Sequence, residues 1–233
     1  MIDLIRDMIK SKFAILLFGL AGSGKGTQGR LICDNFNLLD VSAGDLLRSK
    51  IASGNIGLEA VKAIAAGHLI PANEVVHTVF DKISNSNLEG FTGFLLDGFP
   101  RNLEQDDLFR NKLEGDDAID LAIWLDVEEK ELFSRLSSRL YCSKCSKMYY
   151  SDGDSSESTK KICKFCGNTE FVCRNDDKKL SSIQKRFEIF RLETFKVIER
   201  YRKDGVLAIF NGLGDIKDIA KKIEAVVRDV VKK

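Results

Sequence analysis

The sequence predicts an α/β fold: a parallel β-sheet covered by helices on both faces and interrupted by one inserted, cysteine-bearing segment. Three observations carry this. Short apolar runs at 13–18, 94–96, 121–125 and 206–210 alternate with longer helical stretches, the pattern of strands buried on both faces. A glycine-rich loop follows the first run directly and opens into a helix. Two Cys-x-x-Cys pairs break the alternation between 141 and 173, in a polar, weakly periodic stretch that reads as loop.

Each element follows from its residues. Ile2, Ile5 and Ile9 lie near one helical face, with Asp3, Arg6, Asp7 and Lys10 elsewhere, so residues 1–12 read as a short amphipathic helix on the body or as a flexible tail. Lys10 and Lys12 before the apolar run superficially resemble a secretory leader. The run is short and flows straight into the glycine loop, which favours a buried strand. A helix begins at Thr27, with Leu31, Ile32 and Phe36 at core spacing. Ser42 is placed to cap a helix over 42–48. Helical pattern returns over 58–66 and stops at Gly67. The strand 94–96 ends in Asp97, and the strand 121–125 leads into a helix over 128–140. A long helix over 181–203, the strand 206–210 and a helix from Ile216 complete the chain.

Composition narrows the function classes. The 233 residues suffice for one or two domains with a buried core. Thirty-six Lys and Arg against 35 Asp and Glu leave a net charge of +1, which points away from nucleic acid or an anionic membrane as the main partner. Any anion must then be held by local arrangement. No stretch approaches the roughly 20 apolar residues that span a bilayer, so the expected location is the cytoplasm. The expected state is a monomer.

Gly19-Leu20-Ala21-Gly22-Ser23-Gly24-Lys25 fits G-x-x-x-x-G-K between a strand and a helix. Its glycines let backbone N–H groups turn inward around phosphate oxygens, and the helix N-terminus adds positive potential. Lys25 is expected over the transferring phosphoryl group. Gly26 stands where a standard loop of this kind has Ser or Thr, so Thr27 supplies the nearest hydroxyl for magnesium. The alternative is a tight glycine turn without a ligand.

Cys142-x-x-Cys145 and Cys163-x-x-Cys166 are two knuckle-type pairs separated by 17 residues. Each turn presents two thiolates, and two turns make a closed tetrahedral S4 site, for which zinc is the expected ion. A site with all four positions filled by protein is structural. Cys33, on an apolar helical pattern, is expected in the core, and Cys173 is at most a spare ligand.

The stretch Gly19 to Gln28 resembles the opening of the adenylate kinase family, and further resemblances follow in order. They are Ser42-Ala43-Gly44-Asp45-Leu46-Leu47-Arg48, Gly67-His68-Leu69-Ile70-Pro71, Gly93 to Arg101 with Gln105, and Arg174-Asn175-Asp176-Asp177 with a helix carrying Arg186. They cover nearly everything after residue 12 and are similar to the zinc-binding, long-lid bacterial type. The resemblance implies a P-loop NTPase-like core over 13–41, 71–137 and 178–233. It also implies a monophosphate-binding segment over 42–70 and a zinc-ribbon-like lid over 138–177. It implies reversible, magnesium-dependent transfer between ATP and AMP to give two ADP. Lys25, Arg101, Arg139, Arg174 and Arg186 are then the catalytic cations. Gly22, Ser23, Gly24, Lys25, Gly26, Thr27, Arg135, Arg139, Met148, Tyr149 and Gly214 would meet ATP. Ala43, Arg48, His68, Leu69, Ile70, Gly98, Phe99, Pro100, Arg101, Gln105, Arg174 and Arg186 would meet AMP. Asp97 and Thr27 would hold magnesium through water. These motifs contain no His or Cys nucleophile, which fits direct in-line transfer.

Two departures concern the acceptor base. Ala43 stands where adenylate kinases usually have Thr, and Asn102 is reminiscent of UMP/CMP kinases. Gln105, whose amide can donate to and accept from an adenine edge, and the long lid favour AMP. A UMP/CMP-type kinase and a nucleotide-binding zinc protein without turnover are the alternatives. Between Arg174 and Arg186 the chain is one residue longer than the family's usual spacing, and Ile183-Gln184-Lys185-Arg186 keeps the local match.

Overall fold

A computed structural model describes residues 9, 11–113, 119–145, 147–150, 162–174, 177 and 179–231. In chain order the strands are β1 (Phe13–Gly19), β2 (Leu38–Ser42), β3 (Gly93–Asp97), β4 (Leu121–Asp126), β5 (Arg139–Cys142), β6 (Met148–Tyr150), β7 (Phe171–Val172) and β8 (Leu207–Asn211). The helices are α1 (Lys25–Phe36), α2 (Ala43–Ala52), α3 (Leu58–Ala66), α4 (Ala72–Ser84), α5 (Leu103–Leu113), α6 (Glu129–Ser137), α7 (Leu180–Ile189), α8 (Phe195–Lys203) and α9 (Ile216–Val231). A five-stranded parallel sheet runs β2-β3-β1-β4-β8, and a separate antiparallel sheet runs β6-β5-β7.

The apolar run that opens the described chain is the central strand, and its alternation divides the core in two. Ala14, Leu16 and Phe18 face one layer with Phe94, Leu96 and Ala122, against Val79 of α4, Phe109 of α5 and Tyr201 of α8. Ile15 and Leu17 face the other with Leu95, Ile123 and Leu125, against Ile32 of α1 and Ile223 of α9. Leu16 pairs in register with Leu96 on one side and Ala122 on the other. A strand buried on both faces and along both edges has no polar position, hence the uninterrupted apolar run. Cys33 packs in the second layer, as expected. Ile9 is helical and 2% exposed in the first layer, whereas the other residues that suggested an N-terminal amphipathic helix lie outside the described residues.

Several boundaries differ from the sequence reading. Strand β2 was not visible in the pattern, because it is an edge strand in which the exposed Asp40 breaks the apolar run. The helix read over 128–140 ends at Ser137, and Arg139 already begins β5. The segment read as loop around the cysteines folds into the three short strands β5, β6 and β7, held by backbone pairing where strand length is too small to show a period. The long helix read over 181–203 is continuous through α7 and α8, with a π-helical turn at Phe190–Thr194 between them. Gly67 ends α3 with φ 80°, the left-handed conformation its position demanded. Among the described residues no helix is long and apolar enough to cross a membrane.

Gly93 in β3 leaves no room for a side chain. A Cβ there would lie 2.0 Å from the Phe13 carbonyl oxygen, an atom of the central strand that cannot swing aside. Gly93→Ala is therefore expected to lower the unfolding free energy by about 3 kcal/mol or more, read from urea denaturation; unchanged stability would contradict this packing.

Candidate active site and metal centre

The cleft opens at the carboxyl ends of the parallel strands, where β1 runs into the glycine loop, β2 into Ser42 and β3 into Asp97. Gly24 stands at the N-cap of α1, with a φ of 101° that suits glycine and no side-chain cap. The first amides of α1 are thus left to an external acceptor, the arrangement that binds phosphate. Lys25 Nζ donates to the carbonyls of Gly19 at 2.7 Å and Leu20 at 2.9 Å, folding back over its own loop. Burial, with Arg101, Arg186 and Arg139 nearby, outweighs the attraction of Asp97 and brings the Lys25 ammonium down to about 8.

Of the residues singled out from the sequence, Gly22, Gly24, Lys25, Gly26, Ala43, Arg48, His68, Leu69, Ile70, Asp97, Gly98, Arg101, Gln105, Arg139, Met148, Arg174 and Arg186 line this one cleft. Phe99 and Ser23 are buried beneath it. Pro100 lines a smaller adjoining cavity with Lys25 and Arg101. Arg135 and Gly214 lie at the other side of the glycine loop. Arg135 Nη1 donates to the Gly212 carbonyl at 3.4 Å, and Gln28 Nε2 donates to the Ile216 carbonyl at 3.0 Å. Together these pin the turn carrying Gly214 beside α1. Half-buried Thr27 lies in the first turn of α1. Tyr149 does not line the cleft; its hydroxyl donates to Cys163 Sγ at 3.3 Å.

Three residues outside the sequence-derived set organise the cations. Asp177 is buried and accepts from Arg139 Nε at 2.9 Å through Oδ2 and from Arg186 Nη1 at 2.8 Å through Oδ1. Its signal was present in the Arg-Asn-Asp-Asp run, but a carboxylate there does not announce which guanidinium groups it will hold. Arg186 rather than Lys185 faces the cleft, while Lys185 pairs with Glu188. Tyr141, from β5, also lines the cleft, with Arg174 Cζ 4.1 Å from its ring centroid. Asp45 pairs with Arg48 and reaches Arg174 at 3.4 Å, and both guanidinium groups hold its carboxyl below the usual range against the effect of partial burial. Burial and the neighbouring Arg48 and Arg139 pull Arg174 below the ordinary arginine value.

Gln105 is 1% exposed, and its Oε1 accepts from the Arg101 amide at 2.8 Å. That bond fixes the side chain and leaves Nε2 as its donor end. Asn102 caps α5 through its Oδ1, which accepts from the Gln105 amide at 2.8 Å. Its presence after Arg101 therefore has a helix-capping explanation independent of base choice. Ser42 caps α2 by accepting from the Asp45 amide at 3.3 Å, as its position suggested. His77 is on a helix surface beside Asp81.

Asp97 Oδ1 is buried without a hydrogen-bond partner, and burial raises the carboxyl against the pull of Lys25 and Arg101. A buried, unpartnered carboxylate oxygen on a residue that lines a phosphate cleft fits a hydrated magnesium ion.

The four cysteines of the two pairs meet at the turns beside the antiparallel sheet. Their sulfurs lie within 4.8 Å of one another, with Cys142–Cys166 at 3.5 Å and Cys145–Cys163 at 3.4 Å. Zinc–thiolate bonds of about 2.3 Å in a tetrahedron put sulfurs roughly 3.8 Å apart, so the donor set fits. No disulfide joins them. Asn168 Nδ2 approaches Cys142 Sγ at 3.5 Å and Tyr149 approaches Cys163, the outer contacts that orient thiolate ligands.

A parallel sheet ending in such a loop, with a lysine folded into it and guanidinium groups opposite, can hold polyphosphate and stabilise charge on a migrating phosphoryl group. The class so defined is the P-loop phosphotransferases. A family model for adenylate kinase matches residues 17–206. An adenylate kinase of Methanothrix thermoacetophila is 36% identical over 215 residues, covering 91% of this chain and 97% of its own. Those of Thermodesulfovibrio yellowstonii and Methanosarcina mazei are 35% and 33% identical over 215 residues, each covering 91% of this chain and 98% and 97% of their own. The chain belongs to the adenylate kinase family.

Two expectations follow. The phosphates of ATP favour a charged Lys25, so binding near pH 8 to 9 should take up a proton, and affinity should fall as pH rises above the free value of about 8. Calorimetric titration in buffers of different ionisation enthalpy reads the uptake; none in the wild type, or the same uptake in Lys25→Gln, would refute it. Cys145→Ser should abolish stoichiometric metal by elemental analysis and speed amide exchange in the lid while the parallel sheet stays protected; full metal content in that variant would disprove the site.

Proposed function

We propose that this chain catalyses reversible transfer of the terminal phosphoryl group between ATP and AMP, giving two ADP. The observation that carries it is a single cleft in which Lys25 and its glycine loop face Arg48, Arg101, Arg139, Arg174 and Arg186, with Gln105 buried on the acceptor side.

In this reading the amides at the start of α1 and Lys25 hold the donor's β- and γ-phosphates, while the loop by Arg135 and Gly214 receives its adenosine. Arg48 and Arg101 grip the acceptor phosphate, and Gln105 Nε2 meets its base. The turn Gly67 to Ile70 lines the same side with backbone. Arg139, Arg174 and Arg186 surround the phosphoryl group in flight, where charge spreads over its equatorial oxygens. Asp97 and Thr27 would hold magnesium through water, and the ion would supply neutralisation of the donor phosphate charge. No covalent enzyme intermediate is needed: two polyphosphates brought into line, with their repulsion cancelled by fixed cations, react directly.

The domain assignment belongs to the same proposal. Residues 42–70 form the acceptor-binding segment and 138–177 a lid stiffened by zinc, too small to fold on a core of its own. Lid closure over ATP excludes water, which would otherwise compete as acceptor. Every group named comes from one chain, in keeping with a monomer whose partners are ATP, ADP and AMP, working in the reducing cytoplasm where four thiols stay available to metal.

Coupled assays with AMP, UMP, CMP and GMP test the acceptor. AMP should be preferred, and faster turnover of UMP or CMP would overturn the choice, returning weight to Ala43, which lines the cleft with a small side chain. Lys25→Ala should lower kcat by roughly 100- to 1000-fold while the melting profile survives. Wild-type protein that binds ATP without any turnover would instead establish a binding module.

A further inference from the structure

We propose that Tyr141 is a positioning residue for phosphoryl transfer: its ring face carries the Arg174 guanidinium, and more loosely that of Arg139, and so sets their orientation toward the phosphates. The inference rests on the reading above that Arg174 and Arg139 face the migrating group.

The cations of the cleft are not held alike. Arg139 and Arg186 share the buried carboxylate of Asp177 through bonds of ordinary length. Arg174 has a weaker carboxylate contact: Asp45 is 3.4 Å away, its side chain is 58% exposed, and it also pairs with Arg48. The firm neighbour of Arg174 is the Tyr141 ring, with Cζ 4.1 Å from the centroid, and Arg139 Cζ lies 5.6 Å from the same centroid. Both distances fall within the reach of a cation over an aromatic face.

Tyr141 is well placed to act as a fixed shelf. It occupies β5, the middle strand of the lid sheet, in register with Met148 on one side and Val172 on the other. It is 8% exposed, its hydroxyl donates to Met148 Sδ at 3.8 Å, and the next residue is Cys142 of the metal cluster. Arg139 enters the lid two residues before Tyr141, and Arg174 leaves it two residues after β7. One ring therefore joins Arg139 and Arg174 to the strand that carries Cys142 of the cysteine cluster. A flat ring face attracts a guanidinium without neutralising it, so the positive charge remains available to phosphate. A carboxylate in that place would compete with the substrate.

The test compares Tyr141→Phe, which keeps the ring face, with Tyr141→Leu and Tyr141→Met, which remove it. Tyr141→Phe should keep kcat within about twofold. The aliphatic variants should lose roughly five- to tenfold in kcat, the scale of one partly desolvated cation–ring contact, with smaller changes in the KM for either nucleotide and full metal content. In an Arg174→Ala background the Tyr141→Leu loss should largely disappear. Equal losses in Tyr141→Phe and Tyr141→Leu, or additive losses with Arg174→Ala, would overturn the proposal. So would loss of metal together with rate in both aliphatic variants, which would assign the ring to lid folding. Arg174→Ala with wild-type kcat is a different failure: it would remove Arg174 from the transfer site and leave the family assignment untouched.

Discussion

Mutual repulsion among cations is the constraint on which this structure turns. Lys25, Arg48, Arg101, Arg139, Arg174 and Arg186 line one cleft in a chain whose net charge is only +1. Two unit charges about 4 Å apart repel by roughly 4 kcal/mol at the effective dielectric near a protein surface, so such a cage needs internal support before phosphates arrive. The support is distributed: Asp177 beneath Arg139 and Arg186, Asp45 between Arg48 and Arg174, Asp97 near Lys25, and the Tyr141 ring under Arg174. Cations fixed in advance cost little reorganisation when charge moves, which is how electrostatic catalysis differs from solvation by water.

The scaffold meets this demand by placing the cage where backbone is already polarised. Parallel strands end together at one edge of the sheet, and α1 begins there with uncapped amides. The helix bearing Gln105 is anchored one residue further on. Asp106, fully buried, accepts from the Tyr201 hydroxyl and pairs with Arg200 and Arg110, and Arg110 also pairs with Asp204. This network crosses from α5 to α8 and its C-terminal turn. A buried carboxylate that accepts from Tyr201 and Arg200 and lies against Arg110 resists displacement, because removing a partner leaves charge unpaired in the core. The side chain proposed to read the base, Gln105, thus sits on an element whose position is fixed by the far side of the molecule.

The lid solves a different problem. Its described strands are two to four residues long and enclose almost no apolar interior, too little to order a module by burial. Four thiolates that converge as these do would supply the missing cohesion by holding one ion. In the proposed reading, strand pairing and a bound ion would set the rigidity within this module, separately from its closure over ATP.

Sequence alone determined the features whose chemistry demands contiguous residues. The phosphate loop must be Gly19 to Lys25 in unbroken order because backbone amides have to converge within a few ångströms, and each metal knuckle needs two cysteines three positions apart. The central strand was legible too, since burial on both faces forbids polar residues. Strand β2 escaped because an edge position tolerates Asp40, and the lid strands escaped because two to four residues cannot display a period. What only tertiary structure decided is which distant side chains meet. Asp177 lies 38 positions from Arg139, and Tyr141 lies 33 from Arg174. No local rule links them: an ion pair or a ring contact depends on where separate elements converge in space, and that convergence is settled by the packing of the whole sheet and lid.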